Sequence, residues 1–147
     1  MLQRLKSTKL TEFGNTDVSL LILRVFPAFF MLYGHGWGKL MRVFNGNFEF
    51  ADPIGLGPTV SLILAAFAEG ICSLLIIAGF FTRGAALILV INMSVAFLFV
   101  HLFNDPFGRM EMALLYLVIF LALFLLGPGK YSLDAKMGKS GVASRDF

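Results

Sequence analysis

Seven polar side chains stand inside apolar surroundings: Arg24, His35 and Lys39 in one long apolar stretch, Glu69 in a second, Asn92 and His101 in a third, and Glu111 at the start of a fourth. Imidazoles, an ammonium, a guanidinium and carboxylates are groups that relay protons, hold a polar head group or pair with one another. At the centre of a bilayer an unpaired charge costs several kcal/mol, so each needs a partner or water. Spacing suggests how they meet. Arg24 and His35 are eleven residues apart, which at about 100° per residue puts them within roughly 20° of each other on a helix. Lys39 follows His35 by one turn, so one side of the first helix reads as a polar stripe.

At about 1.5 Å of rise per residue, Arg24, Glu69 and Asn92 fall at neighbouring depths. The expectation is one network in which the planar fork of Arg24 meets the Glu69 carboxylate. Such a pair serves either to fix helix register or to bind a ligand and move protons. His35, Lys39, His101 and Glu111 fall toward the opposite face and form a second layer. Plainer readings stand beside these: Glu111 as an acid favoured at a helix N-terminus, Lys39 snorkelling to head groups, Asn92 as interhelical glue. His35 and His101 either hold a metal or are unrelated. Asn92 and His101 are nine residues apart, about 180° on an ideal helix, so both face one axis only if the helix distorts.

The elements that must position these groups follow from composition. The 147 residues are 58% hydrophobic and 14% charged, against about 25% charged in a soluble domain. The reading is an all-α integral membrane four-helix bundle with spans at 18–39, 59–81, 84–103 and 110–127. They form one domain, 18–134, between a basic lead, 1–17, and a polar tail, 135–147, that anchors at head groups or is irregular. The first span reads as retained, because it is too long for a signal peptide and carries Arg24 internally. Arg4, Lys6, Lys9, Arg83, Lys130, Lys136, Lys139 and Arg145 gather on one side, against Lys39, Arg42 and Arg109 on the other. That bias places both termini in the cytoplasm. The net charge of +3 is a topology signal and does not point to nucleic acid.

Cofactor patterns are sparse. One cysteine, Cys72, makes no disulfide framework and no thiolate metal cluster. Gly34, Gly36 and Gly38 alternate, but no strand precedes them, so they read as close helix packing or an early helix end rather than a dinucleotide fingerprint. No metal, flavin or nucleotide is indicated. Trp37 reads as an interfacial belt residue. The long connection 40–58, with phenylalanines interleaved among Glu49, Asp52, glycines and prolines, reads as a structured loop at the outer interface that could cap the bundle. Thr82 and Arg83 read as a tight turn between the second and third spans, and Asn104 or Asp105 with Pro106 as the start of the fourth.

Taken together, Arg24, the block GHGWGKL at 34–40, Glu69 ahead of the GFFTR turn at 79–83, His101, Glu111 and the LGPGKYSLD run at 126–134 resemble the DoxX family of four-helix bacterial inner-membrane proteins, over residues 20–134. The family is related to the membrane subunit of thiosulfate:quinone oxidoreductase, and its pattern residues map to Arg24, His35, Lys39, Glu69, His101 and Glu111. The resemblance implies a membrane subunit of an oxidoreductase system that binds a quinone or similar lipid-soluble head group near the outer face. In that reading His35, His101 and Glu111 contact the carbonyls and pass protons, Lys39 tunes them, and Arg24, Glu69 and Asn92 support the site from below. Electrons come from a soluble redox partner, since this chain offers proton carriers but no electron carrier. The alternative is a non-catalytic membrane adaptor or assembly protein, expected as a homo-oligomer, that binds a lipid or a partner protein. A proton-coupled carrier is disfavoured by the lack of an internal repeat.

Overall fold

The structure is a computed structural model, and it describes residues 16–102 and 106–143, without the side chains of 101, 109 and 139–143. Residues 1–15 of the basic lead therefore lie outside the described residues, as does the expected capping pair Asn104 and Asp105. Helix α1 runs Thr16–Phe44 and α2 runs Pro58–Ala78. Helix α3 runs Thr82–Val95 and continues as a π turn, Ala96–His101. Helix α4 spans Phe107–Leu126, and α5 spans Leu133–Ala143. No strand occurs among the described residues. Three helices, α1 to α3, are long and apolar enough to cross a membrane; the apolar part of α4, Met110–Leu126, is shorter.

The core is built from small residues and a few large ones. Ala28 and Met31 of α1, Ala68, Cys72 and Ile76 of α2, Ala85, Ala86, Leu89 and Met93 of α3, and Phe120 and Leu123 of α4 bury together. Alanines at the crossings let helix backbones come close, which is how helices associate where lipid is as apolar as leucine. The largest side chains point the other way. Phe26, Phe30, Tyr33 and Trp37 form an exposed aromatic stripe along α1, the outward face expected of a lipid-facing helix.

Three of the differences from the sequence reading bear on the fold. Helix α1 starts at Thr16 and extends to Phe44, so the first span is longer than 18–39. Helix α2 ends at Ala78, not 81. Gly79 adopts φ +72°, its N–H donates to the Ile76 carbonyl at 3.0 Å and the Phe80 N–H donates to Leu75 at 2.9 Å. This paired closure ends a helix, and it favours glycine because a side chain is strained at positive φ. The turn is thus Gly79–Phe81, and Thr82 opens α3. The third difference is α5, which occupies most of the tail and begins where the Ala135 N–H donates to Ser132 Oγ at 3.1 Å.

One distortion recurs. Each of α1, α2 and α3 contains a π turn, at Leu32–Gly36, Phe67–Cys72 and Ala96–His101. A π turn is a wide turn that rotates everything beyond it relative to an ideal helix, and it is frequent at functional sites. Here the three turns carry His35, Glu69 and His101.

Candidate functional site

At the first π turn α1 touches α2. A Cβ on Gly36 would lie 2.2 Å from the Glu69 carbonyl oxygen and 2.7 Å from the Gly70 nitrogen, so the two backbones are in direct contact there. Gly34 and Gly38 have nothing within 4 Å of a Cβ. The close approach brings the Lys39 ammonium onto the Glu69 carboxylate as a hydrogen-bonded ion pair. The other Glu69 oxygen, Oε1, accepts from Asn92 Nδ2 of α3 at 2.9 Å. Glu69 is buried, with 5% exposure, and both of its oxygens are matched, which is what a carboxylate removed from water requires.

This geometry corrects the expected Arg24–Glu69 pair. Arg24 is buried at the opposite end of α1, where Nη1 donates to the Pro128 carbonyl at 3.2 Å and Nη2 to the Tyr131 carbonyl at 2.7 Å. The reason is that the connection between α4 and α5 carries carbonyls outside any helix, and Gly127 and Gly129, both at positive φ, turn it against α1 beside Leu20. The long Arg24 side chain reaches them, so it supports the fold at that end rather than the Glu69 site. Lys39 belongs with Glu69 and Asn92, so the two expected layers divide differently: one polar cluster of three, and a separate arginine.

Above this cluster lies a cavity of about 620 Å³, within the range of small-molecule sites. Lys39, Glu69, Asn92 and His35 are on its wall, and most of the rest is apolar, including Met31, Ala65, Ile88, Met93 and Ala113. Tyr116 of α4, missed in the sequence reading, completes the polar set. Its ring meets the His35 ring edge-on at 5.9 Å between centroids and stacks on Phe120 at 6.0 Å. The signal was a tyrosine, a ring with one polar tip, in the middle of an otherwise apolar helix. Arg24 does not line the cavity. Glu111 is exposed and does not line it either, although its neighbour Met112 does. The His101 side chain lies outside the described residues.

The connection between α1 and α2 roofs the cavity with Phe50, Ala51, Pro53 and Ile54. Lys39 Nζ lies 5.9 Å from the Phe50 ring centroid, a cation–π contact that ties roof to cluster. Asp52 holds the loop in place. Its carboxylate accepts from the Leu56 and Gly57 N–H groups, both at 2.9 Å, and from Ser61 Oγ at 3.0 Å. Partial desolvation pushes its pKa up, but these hydrogen bonds outweigh it and hold the carboxyl below the usual range.

At the far end Asp134 plays the matching role. It accepts from the Phe81 N–H at 2.7 Å and the Thr82 N–H at 2.9 Å, capping α3 from more than fifty residues away. Phe81 itself sits at φ +49°, a left-handed conformation rare for a bulky residue. Burial raises the Asp134 pKa, but hydrogen bonds from Thr82 and Phe81 and the nearby Arg24 charge bring it below the ordinary value. Asp17 fastens the same region by accepting from the Lys130 N–H at 3.0 Å.

A bundle of apolar helices around a mostly apolar cavity with a few convergent polar groups defines a helical membrane protein with a small-molecule-sized site. Comparison with known proteins narrows this. The DoxX family model matches residues 19–102. Two Haemophilus influenzae proteins, each described only as an uncharacterized protein, are similar at 34% identity: one over 130 residues, 82% of this chain and 91% of its own length, the other over 146 residues, 92% and 93%. No solved structure matches. The chain belongs to the DoxX family.

Proposed function

We propose that this protein is a membrane subunit that binds a quinone or a similar carbonyl-bearing, lipid-soluble head group in the cavity enclosed by α1, α2, α3 and α4, as part of an oxidoreductase system. In this reading α4, 20 residues long and so about 30 Å, completes four spans, and the basic residues place both termini on the cytoplasmic side of the inner membrane. The observation that carries the proposal is the Lys39–Glu69–Asn92 cluster on the wall of an otherwise apolar cavity.

The residues fit the group. An ammonium has three donor hydrogens and Glu69 takes one, so Lys39 can offer another to a carbonyl oxygen. His35 and the Tyr116 hydroxyl, on the same cavity wall, add groups that exchange protons with a bound carbonyl or hydroxyl. Glu69 pairs with the ammonium, and Asn92 holds the other oxygen of Glu69. A bound quinone would supply the electron-accepting chemistry, with electrons delivered by a partner protein. Arg24 and Glu111 have no contact with the head group in this arrangement.

The test is head-group binding to the full chain in lipid nanodiscs. A charge-assisted hydrogen bond is worth about 1.5–3 kcal/mol, so Lys39→Met should weaken binding of a benzoquinone by about tenfold or more, and Glu69→Gln should do so by releasing Lys39. Both variants keeping wild-type affinity while remaining folded would end the proposal and leave the adaptor reading, in which the cavity holds structural lipid.

A further inference from the structure

A second space adjoins the cavity. It is a groove of about 290 Å³ between α1 and α4, lined by Pro27, Phe30, Met112, Leu115, Tyr116 and Ile119. From Met112 to Ile119 it follows about two turns of α4, or roughly 10 Å. Apart from the Tyr116 hydroxyl every side chain on it is apolar. Phe30, Met112 and Leu115 are about half exposed, on helix faces that would meet hydrocarbon. Two residues, Met112 and Tyr116, line both spaces, so the groove and the cavity share one partition. The partition is soft on one side, because methionine is unbranched and changes rotamer readily. On the other it is hinged on Tyr116, whose ring is held against His35 and Phe120.

We infer that the ligand of the cavity carries a hydrocarbon tail that leaves sideways between α1 and α4 and lies in this groove, with Met112 and Tyr116 as the gate it passes. The inference rests on the head-group reading above. The route from the aqueous side is roofed by Phe50, Ala51, Pro53 and Ile54 and pinned by Asp52, whereas the lateral route is apolar throughout and opens where lipid lies. A head group with a tail can therefore enter from the bilayer without the roof being lifted. The same geometry assigns Tyr116 two contacts at once: its hydroxyl end toward the head group and its ring against the first carbons of the tail.

The experiment compares a decyl-tailed benzoquinone with its tail-less counterpart, on the full chain in nanodiscs, for wild type and Leu115→Trp. Leu115 is 56% exposed and lines the groove but not the cavity, so a larger ring there fills the groove and leaves the head-group wall intact. Comparing wild type with variant cancels the tail's own partition into lipid. In wild type the tailed compound should bind at least about tenfold more tightly, the gain from about two buried methylenes. In Leu115→Trp that advantage should fall by about tenfold relative to wild type, leaving only the share that partition into lipid supplies, while the tail-less affinity stays at the wild-type value, which also shows that the variant is folded. Ile119→Trp should reproduce the result. Equal affinity of the two compounds in wild type, or a tail advantage untouched by both variants, overturns the inference and leaves the head-group reading standing, with the groove holding acyl chains of bulk lipid. Binding of neither compound to wild type overturns both.

Discussion

Replacing Gly36 with alanine tests the contact on which the polar cluster depends. The added Cβ would stand 2.2 Å from the Glu69 carbonyl oxygen, 2.5 Å from its carbon and 2.7 Å from the Gly70 nitrogen, where ordinary contact begins at 3.4 Å. The two helices must therefore separate by about 1.2 Å at this point. Every clashing atom is backbone, so no rotamer change relieves it. Overpacking of this kind costs about 3 kcal/mol, and alanine returns about 1 kcal/mol through its better helix propensity. The net loss of about 2 kcal/mol corresponds to a fall of roughly 4–8 °C in Tm for a chain of this size. Gly34→Ala and Gly38→Ala meet nothing within 4 Å, so only the propensity gain remains and both should melt at or slightly above wild type. Thermal unfolding of the three variants in one detergent, followed by circular dichroism, decides it. If Gly36→Ala melts with wild type, or if all three fall together, the backbone contact between α1 and α2 is not what holds Lys39 to Glu69.

Two further outcomes follow from the opposite end of the bundle. Arg24→Lys keeps the charge but offers a point donor where two carbonyls, Pro128 and Tyr131, are bridged by a fork; one charge-assisted bond is lost, about 2 kcal/mol, and Arg24→Met, which strands both carbonyls, should unfold at a still lower temperature in the same assay. For Asp134 the folded-state pKa is depressed, so its contribution is present above the unfolded value, about 3.9, and is lost as pH falls through the lower folded value. The Tm difference between wild type and Asp134→Asn should thus be constant near neutrality and shrink below about pH 4; a difference that does not change with pH would show that the carboxylate does not cap α3.

Much of this arrangement was legible beforehand. Long apolar runs marked the helices, and the polar residues inside them marked the positions that need partners, because burial in an apolar medium tolerates few unmatched charges. Lys39, Glu69, Asn92 and His35 were singled out on that ground and do share one cavity wall. The partners were not legible. Arg24 and Glu69 match in depth and charge when counted along ideal helices, yet Arg24 turns to carbonyls more than a hundred residues away in sequence. Asp134 likewise caps a helix whose start gives no local sign of it, and Tyr116 is a single tyrosine among leucines and isoleucines.

The sequence by itself therefore determined the class of protein, where its long apolar helices lie, and which side chains carry charge into an apolar environment. These depend on local quantities: hydropathy over one turn after another, and the conformations open to glycine and proline. The tertiary structure alone decided which charges meet. Three π turns reset the rotation of α1, α2 and α3, so angles counted on an ideal helix no longer predict a shared face. A lysine or arginine side chain is also long enough to choose between partners a turn or more apart. Its choice is settled by how closely two backbones approach, as Gly36 does to Glu69, and by which loop carbonyls come within reach, as those of Pro128 and Tyr131 do for Arg24, and both belong to the packing of distant segments.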